Sequence, residues 1–183
     1  MSTLTYLKNF IRDKNVASIT PTSTFGVKKV CDKIDFKKRN VIIEYGPGTG
    51  VFSKYLLKKM SKDSKLILIE LNKNFVNILH RIRDPRVNIF NDSAENVLNS
   101  IESAEELCAD YIISGIPFSF LTPNSKNKIL HNTYRALGNG GKFLVYQHSN
   151  HLKEHLKSHF DVVHIEHEFR NIPPLCIYEA IKR

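Results

Sequence analysis

Apolar residues fall along this chain in two alternating patterns. Short runs rich in β-branched side chains recur at Val41-Ile42-Ile43, Leu66-Ile67-Leu68-Ile69, Val87-Asn88-Ile89-Phe90 and Asp110-Tyr111-Ile112-Ile113. Largely unbroken apolar runs of this length are what a strand covered on both faces requires. Between them lie segments with helical spacing. Residues 51–60 follow the first strand, and residues 73–83 place Phe75, Val76, Ile78, Leu79 and Ile82 on one side before Asp84-Pro85 stops the helix. Residues 94–101 and 124–137 predict two more helices, the second closed by Gly138-Asn139-Gly140-Gly141. A fifth strand over 142–147, a helix over 152–157 and two longer strands, 160–169 and 175–182, joined around Pro173-Pro174, complete the chain. Ahead of the first strand, Tyr6 to Arg12 reads as a short amphipathic helix. Thr20-Pro21-Thr22-Ser23 reads as a turn and cap, and residues 25–33 as a further helix. Strands alternating with helices predict an α/β fold. Its sheet is seven-stranded and mostly parallel, with helices on both faces and an antiparallel strand from the terminal hairpin.

No repeat or linker interrupts the pattern, so residues 1–183 are expected to form one domain, with a basic helical cap over 1–39 and the α/β core over 40–183. A chain of this length buries about 70% of its unfolded surface. No apolar run approaches the roughly 18 residues that span a bilayer, and the first residues lack the pattern of a secretion signal. Cys31, Cys108 and Cys176 are scattered and show no metal-ligand spacing, which predicts inert thiols in a reducing, cytoplasmic setting and no metal site. Charge alters the picture more. Residues 1–39 hold nine Lys or Arg against three Asp, so they carry six of the nine net positive charges. Such a segment attracts polyanions, either an anionic membrane surface or nucleic-acid phosphate; as an alternative, it is a solubilising face.

Candidate chemistry starts where the first strand ends, at Glu44-Tyr45-Gly46-Pro47-Gly48-Thr49-Gly50. Three glycines allow a sharp turn and close approach of backbone to a ligand. The second strand ends in Glu70-Leu71, 26 residues after Glu44, where an acid can bind ribose hydroxyls. A carboxylate at position 44 would repel a pyrophosphate but can hold a cationic amino-acid moiety, which points to S-adenosylmethionine. Asp92-Ser93-Ala94, after the third strand, reads on its own as a helix cap, which leaves room for a second role.

With Glu44 to Gly50, the chain resembles the class I S-adenosylmethionine-dependent methyltransferases. The resemblance implies a Rossmann-like fold, a cofactor site built from 44–50, Glu70, Leu71, Asp92 to Ala94 and Ser114, and hydrogen bonding of Asp92 to the adenine amino group. After the fourth strand, Ser114-Gly115-Ile116-Pro117-Phe118 stands where amino-directed members carry Asn or Asp, an apolar residue, Pro and an aromatic. Ser-Gly here replaces the polar anchor, a departure from the ribosomal RNA adenine dimethylases, whose aromatic ring stacks on the target base. Arg170-Asn171-Ile172-Pro173-Pro174, Ile177-Tyr178 and the upstream Val16 to Ser23 resemble bacterial phospholipid N-methyltransferases. That likeness implies methylation of the phosphatidylethanolamine amine at a membrane surface, with the protein cytoplasmic or peripheral on the inner face. Tyr6 to Arg12 would dock there.

On this reading Ser114, Gly115, Pro117, Phe118 and Tyr178 are the catalytic candidates. Arg170 is assigned to the lipid phosphate and His148 to the substrate side. A small RNA adenine N6-methyltransferase is the alternative, followed by a non-catalytic S-adenosylmethionine-binding module.

Overall fold

A computed structural model describes residues 23–149 and 151–183 of the chain; the predicted helix Tyr6–Arg12 and the start of the Thr20–Ser23 turn lie outside them. The described chain runs α1 (Thr24–Cys31), β1 (Val41–Tyr45), α2 (Val51–Lys59), β2 (Lys65–Ile69), α3 (Lys73–Leu79), β3 (Val87–Phe90), α4 (Val97–Ser103), β4 (Ala109–Ser114), α5 (Pro123–Ala136), β5 (Leu137–Gln147), α6 (Lys153–Lys157), β6 (Val162–Glu168) and β7 (Leu175–Ile181). The seven strands form one sheet in the order β3-β2-β1-β4-β5-β7-β6. Pairings from β3 through β5 are parallel, and β7 is antiparallel to both β5 and β6.

The alternation within each strand sorts its side chains between two cores. Val41, Ile43, Tyr45, Ile112, Phe143, Val145 and Tyr178 face α4, α5 and α6, which contribute Val97, Ile101, Ile129, Leu130 and Leu156. Ile42, Leu66, Leu68, Ile113, Leu144 and Ile177 face the other way, onto Val27, Val30, Phe52, Leu56 and Leu79 of α1, α2 and α3. Each Ile or Leu removed from water in this way contributes roughly 1.5–3 kcal/mol. Because β1 is buried on both faces, its run needed no polar alternation.

Several boundaries differ from the sequence expectation. The Gly138–Gly141 stretch is the start of β5 rather than a loop. Leu137 pairs with Ala109 and Lys142 with Tyr111, so the extra residues bulge, with Gly140 at φ 77°. Gly140 and Lys182 also close a backbone bond, nitrogen to carbonyl, that extends the β7 side. Helix α3 stops at Leu79, four residues early, and the chain turns through His80 to Ile82. Residues 94–96 form a 3-10 turn before α4. Cys31 and Cys176 are buried, but Cys108 is exposed.

The basic segment is partly consumed by the fold. Lys33 bridges Glu166 and Glu179 on β6 and β7, Lys29 lies near Glu166, and Arg39 pairs with Glu106. Lys38 reaches Asp110 at 3.9 Å. These pairs tie α1 and the segment before β1 to the sheet. Among the described residues, Lys28 and Lys37 have no ion-pair partner. No helix among the described residues is long and apolar enough to cross a membrane.

Candidate functional site

Parallel strands end on the same side, so the residues after β1, β2, β3, β4 and β5 gather at one edge of the sheet. Strand order reverses between β1 and β4, and a crevice at such a reversal is where open α/β sheets bind ligands. The glycine-rich turn sits at this point. Gly46 donates its N–H to Ile69 O (3.0 Å) and Gly115 donates to Tyr45 O (3.2 Å), so the ends of β2 and β4 are laced to β1. Gly46, Gly48 and Gly50 all have positive φ (65°, 55° and 79°), which L side chains rarely adopt. A Cβ added at Gly48 would meet nothing within 4 Å, so the turn opens onto free space. Gly50 begins α2 with no side-chain cap, which leaves first-turn N–H groups directed at that opening.

Two carboxylates flank the turn. Glu44 is only 1% exposed and accepts from Ser53 Oγ at 2.6 Å. Burial pushes its pKa up to about 7, against the lowering effect of Ser53, and the Glu70 charge adds to the rise. Glu70, also buried, accepts from Gly48 N (3.0 Å) and Asn72 N (2.8 Å). Burial raises its pKa as well, partly offset by those N–H groups. The two acids concentrate negative charge under a backbone cradle, which suits a cationic ligand bearing hydroxyls. Thr49 is exposed on the turn, and Pro47 is buried under it. Asn91, just before Asp92, donates to the carbonyls of Glu70 and Leu71 and locks the ends of β2 and β3 together.

Asp92 and Ser93 divide the roles that the sequence left open. Ser93 is the cap, accepting from Glu95 N, whereas Asp92 Oδ1 accepts from Ser93 N (2.7 Å) and Asn96 Nδ2 (2.8 Å). Asp92 Oδ2 accepts no hydrogen bond among the described residues. Ala94 is buried under the turn.

Other candidates lie differently. Ser114 is fully buried and its Oγ accepts from Ile116 N at 3.2 Å, so its hydroxyl stabilises the turn of its own loop. Phe118 is 1% exposed and packs edge-on against Phe143, with centroids 6.3 Å apart. Tyr45 turns its phenol into the α5 core, where it meets Thr133 Oγ1 at 3.1 Å. Its backbone alone reaches the edge. Tyr178 faces the same core and donates to Ser149 O at 3.2 Å. Burial pushes its pKa up to about 12, which keeps the phenol protonated at neutral pH. Arg170 forks onto Glu168 (2.8 and 2.7 Å) and lies over the Phe25 ring at 4.5 Å, so only Nη1 is uncommitted to that carboxylate. His148 Nδ1 lies 3.0 Å from Pro174 O. A carbonyl accepts only, so Nδ1 carries the proton when the ring is neutral, and Nε2 is left as the acceptor.

Two further side chains at this edge were not singled out from sequence. Tyr146 stacks on Phe52 (centroids 4.5 Å apart) and lays its hydroxyl against Gly115, where an added Cβ would stand 2.4 Å from it. The glycine in Ser-Gly-Ile-Pro is therefore the space Tyr146 occupies. Gln147, at the end of β5, donates through Nε2 to Ser149, while its buried Oε1 has no partner. No isolated motif marks either residue; only the pairing of β4 with β5 brings them to the loop. Gly115→Ala is expected to displace Tyr146 at a cost of about 1–3 kcal/mol, and Tyr146→Ala in the same chain should recover part of that loss. Denaturant unfolding of the single and double variants measures the coupling.

A model of the ribosomal RNA adenine dimethylase family matches residues 5–116, more than half of the chain. The chain belongs to this family. Together with its fold, membership makes it a class I S-adenosylmethionine-dependent methyltransferase. An ornithine lipid N-methyltransferase from Singulisphaera acidiphila is 23% identical over 180 residues, spanning 93% of this chain and 91% of that protein. Ribosomal RNA small subunit methyltransferase A from Hydrogenobaculum is 28% identical over 116 residues, and the match spans 63% of this chain but only 38% of the relative. Among solved structures, a precorrin-6y C5,15-methyltransferase from Geobacter metallireducens superimposes with a TM-score of 0.70 at 16% identity, over 91% of this chain and 92% of the other. The 1,6-didemethyltoxoflavin-N1-methyltransferase of Burkholderia thailandensis, described with S-adenosylhomocysteine, gives 0.71 at 12% identity, over 98% and 88% of the two chains. The fold is thus the Rossmann-like methyltransferase fold, and the cofactor of this family member is S-adenosylmethionine. Among the described residues no cluster of ligating side chains suits a metal.

Proposed function

We propose that this protein N-methylates an amine in a lipid headgroup, phosphatidylethanolamine or an amino-acid lipid such as ornithine lipid. The observation that carries the reading is the inward setting of Phe118. A ring packed against Phe143 offers no platform for a flipped base, and the adjoining Ser114 is fully buried, its Oγ accepting from Ile116 N within its own loop. The lipid-directed relative supports it from another side, because it matches nearly end to end.

In this reading Glu44, Gly46, Pro47, Gly48, Thr49 and Gly50 hold the amino-acid portion of the cofactor. Glu70 and Leu71 hold the ribose, and Asp92, Ser93 and Ala94 the adenine, with Asp92 Oδ2 accepting from its amino group. The cofactor supplies a methyl group activated by a cationic sulfur. The chain supplies positioning and exclusion of water. An ammonium must pass a proton to solvent or to His148 Nε2 before it can act as a nucleophile, and acceptors at the β4–β5 end then orient the neutral amine with its lone pair toward the methyl group. The Gly115 carbonyl and the orphan Gln147 Oε1 accept its N–H groups, while Tyr146 fixes the loop. His148 and Arg170 Nη1 flank the headgroup.

RNA adenine methylation is the second reading, favoured by the family model over 5–116. One incubation separates them: label the methyl donor and offer phosphatidylethanolamine vesicles, ornithine lipid vesicles and protein-free ribosomal RNA in parallel. Label in a lipid fraction is the expected result. Label in RNA alone, or in no fraction despite cofactor binding, rejects the lipid reading.

A further inference from the structure

The β6–β7 connection combines a tightly bonded backbone with apolar side chains left in water. Asn171, buried at 1% exposure, accepts from Ser23 N through Oδ1 and donates to Pro173 O through Nδ2, both at 2.8 Å. Glu168 accepts from the backbone N–H and the guanidinium of Arg170, and Pro174 O meets His148. Yet Phe169 is 75% and Ile172 80% exposed on this connection, and Phe25 is 48% exposed beside it under Arg170. A polar loop would satisfy the same hydrogen bonds without leaving two large apolar side chains in water. Single exposed apolar residues are unremarkable, but two on one bonded connection, with a third beside them on α1, mark an interaction surface.

Its position and charge name the partner. β6 ends and β7 begins at the same sheet edge as the glycine turn and the Gly115 loop, since Gln147 of β5 pairs with Cys176 and Glu168 with Leu175. The acids of this flank are matched, Glu168 by Arg170 and Glu166 by Lys33 and Lys29, while Lys28 on α1 has no ion-pair partner among the described residues. Apolar tips beside the unpaired Lys28, on a flank whose other charges pair off, complement an anionic bilayer, where acyl chains take the tips and a headgroup the free lysine. We propose that Phe169, Ile172 and Phe25 insert into the lipid interface and set the cofactor edge against the headgroup layer. This deepens the lipid reading above and rests on it.

The test is Phe169→Ser/Ile172→Ser in the full chain, with co-sedimentation on phosphatidylcholine vesicles with and without phosphatidylglycerol. Wild type is expected to bind the anionic vesicles, and the double variant to lose at least about tenfold in partitioning with S-adenosylmethionine affinity and melting temperature unchanged. Equal vesicle binding by both proteins overturns the proposal, as does absence of wild-type binding. A lowered melting temperature with unchanged vesicle binding overturns it too, because the patch would then be covered by the chain's own residues. The two readings fail separately. Loop-dependent vesicle binding without lipid methylation sinks the substrate assignment alone, whereas lipid methylation with loop-independent binding sinks the docking surface alone.

Discussion

Replacing Glu44 by Gln is expected to make the stability of the cofactor-free protein less sensitive to pH while weakening S-adenosylmethionine binding. The folded pKa is raised to about 7 from an ordinary 4.5, because the carboxylate is buried with Ser53 as its one side-chain donor. Between those values the unfolded chain has released the proton and the folded chain has kept it. Unfolding then releases a proton, so the stability of the wild type falls as pH rises through this window. Gln cannot titrate but can still accept from Ser53. Relative to wild type, Glu44→Gln should therefore gain roughly 2–3 kcal/mol on going from pH 5 to pH 8, read from urea unfolding at the two pH values. Cofactor affinity should move the other way. A positively charged ligand favours ionised Glu44, so wild-type binding should strengthen from pH 6 to pH 8, and Glu44→Gln should bind about tenfold or more weakly at pH 8 and lack that rise. Calorimetric titration of both proteins decides it. A variant whose pH–stability profile parallels that of wild type would place the titrating group elsewhere.

Phe118→Ala is expected to cost about 3–5 kcal/mol of stability, the range for emptying a buried aromatic site. The ring fills the core between β4, β5 and α5, against Phe143. Phe118→Leu keeps most of the apolar volume and should cost clearly less, with methyl transfer largely retained once folding is secured by low temperature. The alternative role predicts the opposite pairing. A base-stacking ring could be removed with unchanged unfolding and a large fall in turnover. Guanidinium unfolding set beside single-turnover transfer distinguishes the two.

Much of the fold was legible because strands buried on both faces cannot hide in a sequence. Val41 to Ile43 and Leu66 to Ile69 had to be covered by helices, and the helical stretches between them required a parallel sheet. The glycine turn was equally plain, since three positive-φ positions between a strand and a helix demand glycine and leave the backbone open to a ligand. The pairing of the final hairpin followed from two long strands joined around Pro173-Pro174. Less was legible where a glycine marks space taken by something else. Gly115 looked like a lost polar anchor, but it accommodates the Tyr146 hydroxyl. Gly138 to Gly141 looked like a helix stop and proved to be a bulged strand start, because Lys182 pairs with it from the far end of the chain.

By itself, the sequence determined the layer order, the glycine turn and the acids at its rim, because each depends on local periodicity or on backbone angles that few residues adopt. Tertiary structure alone decided which of the candidate side chains are buried or paired and which reach the sheet edge. Phe118 turned inward, Arg170 gave Nε and Nη2 to Glu168 and kept Nη1, and Tyr146 and Gln147 came to the edge. Alternation assigns a residue to a face, but its partners come from strands and helices tens of residues away, and those partners determine whether a polar group is spent or available.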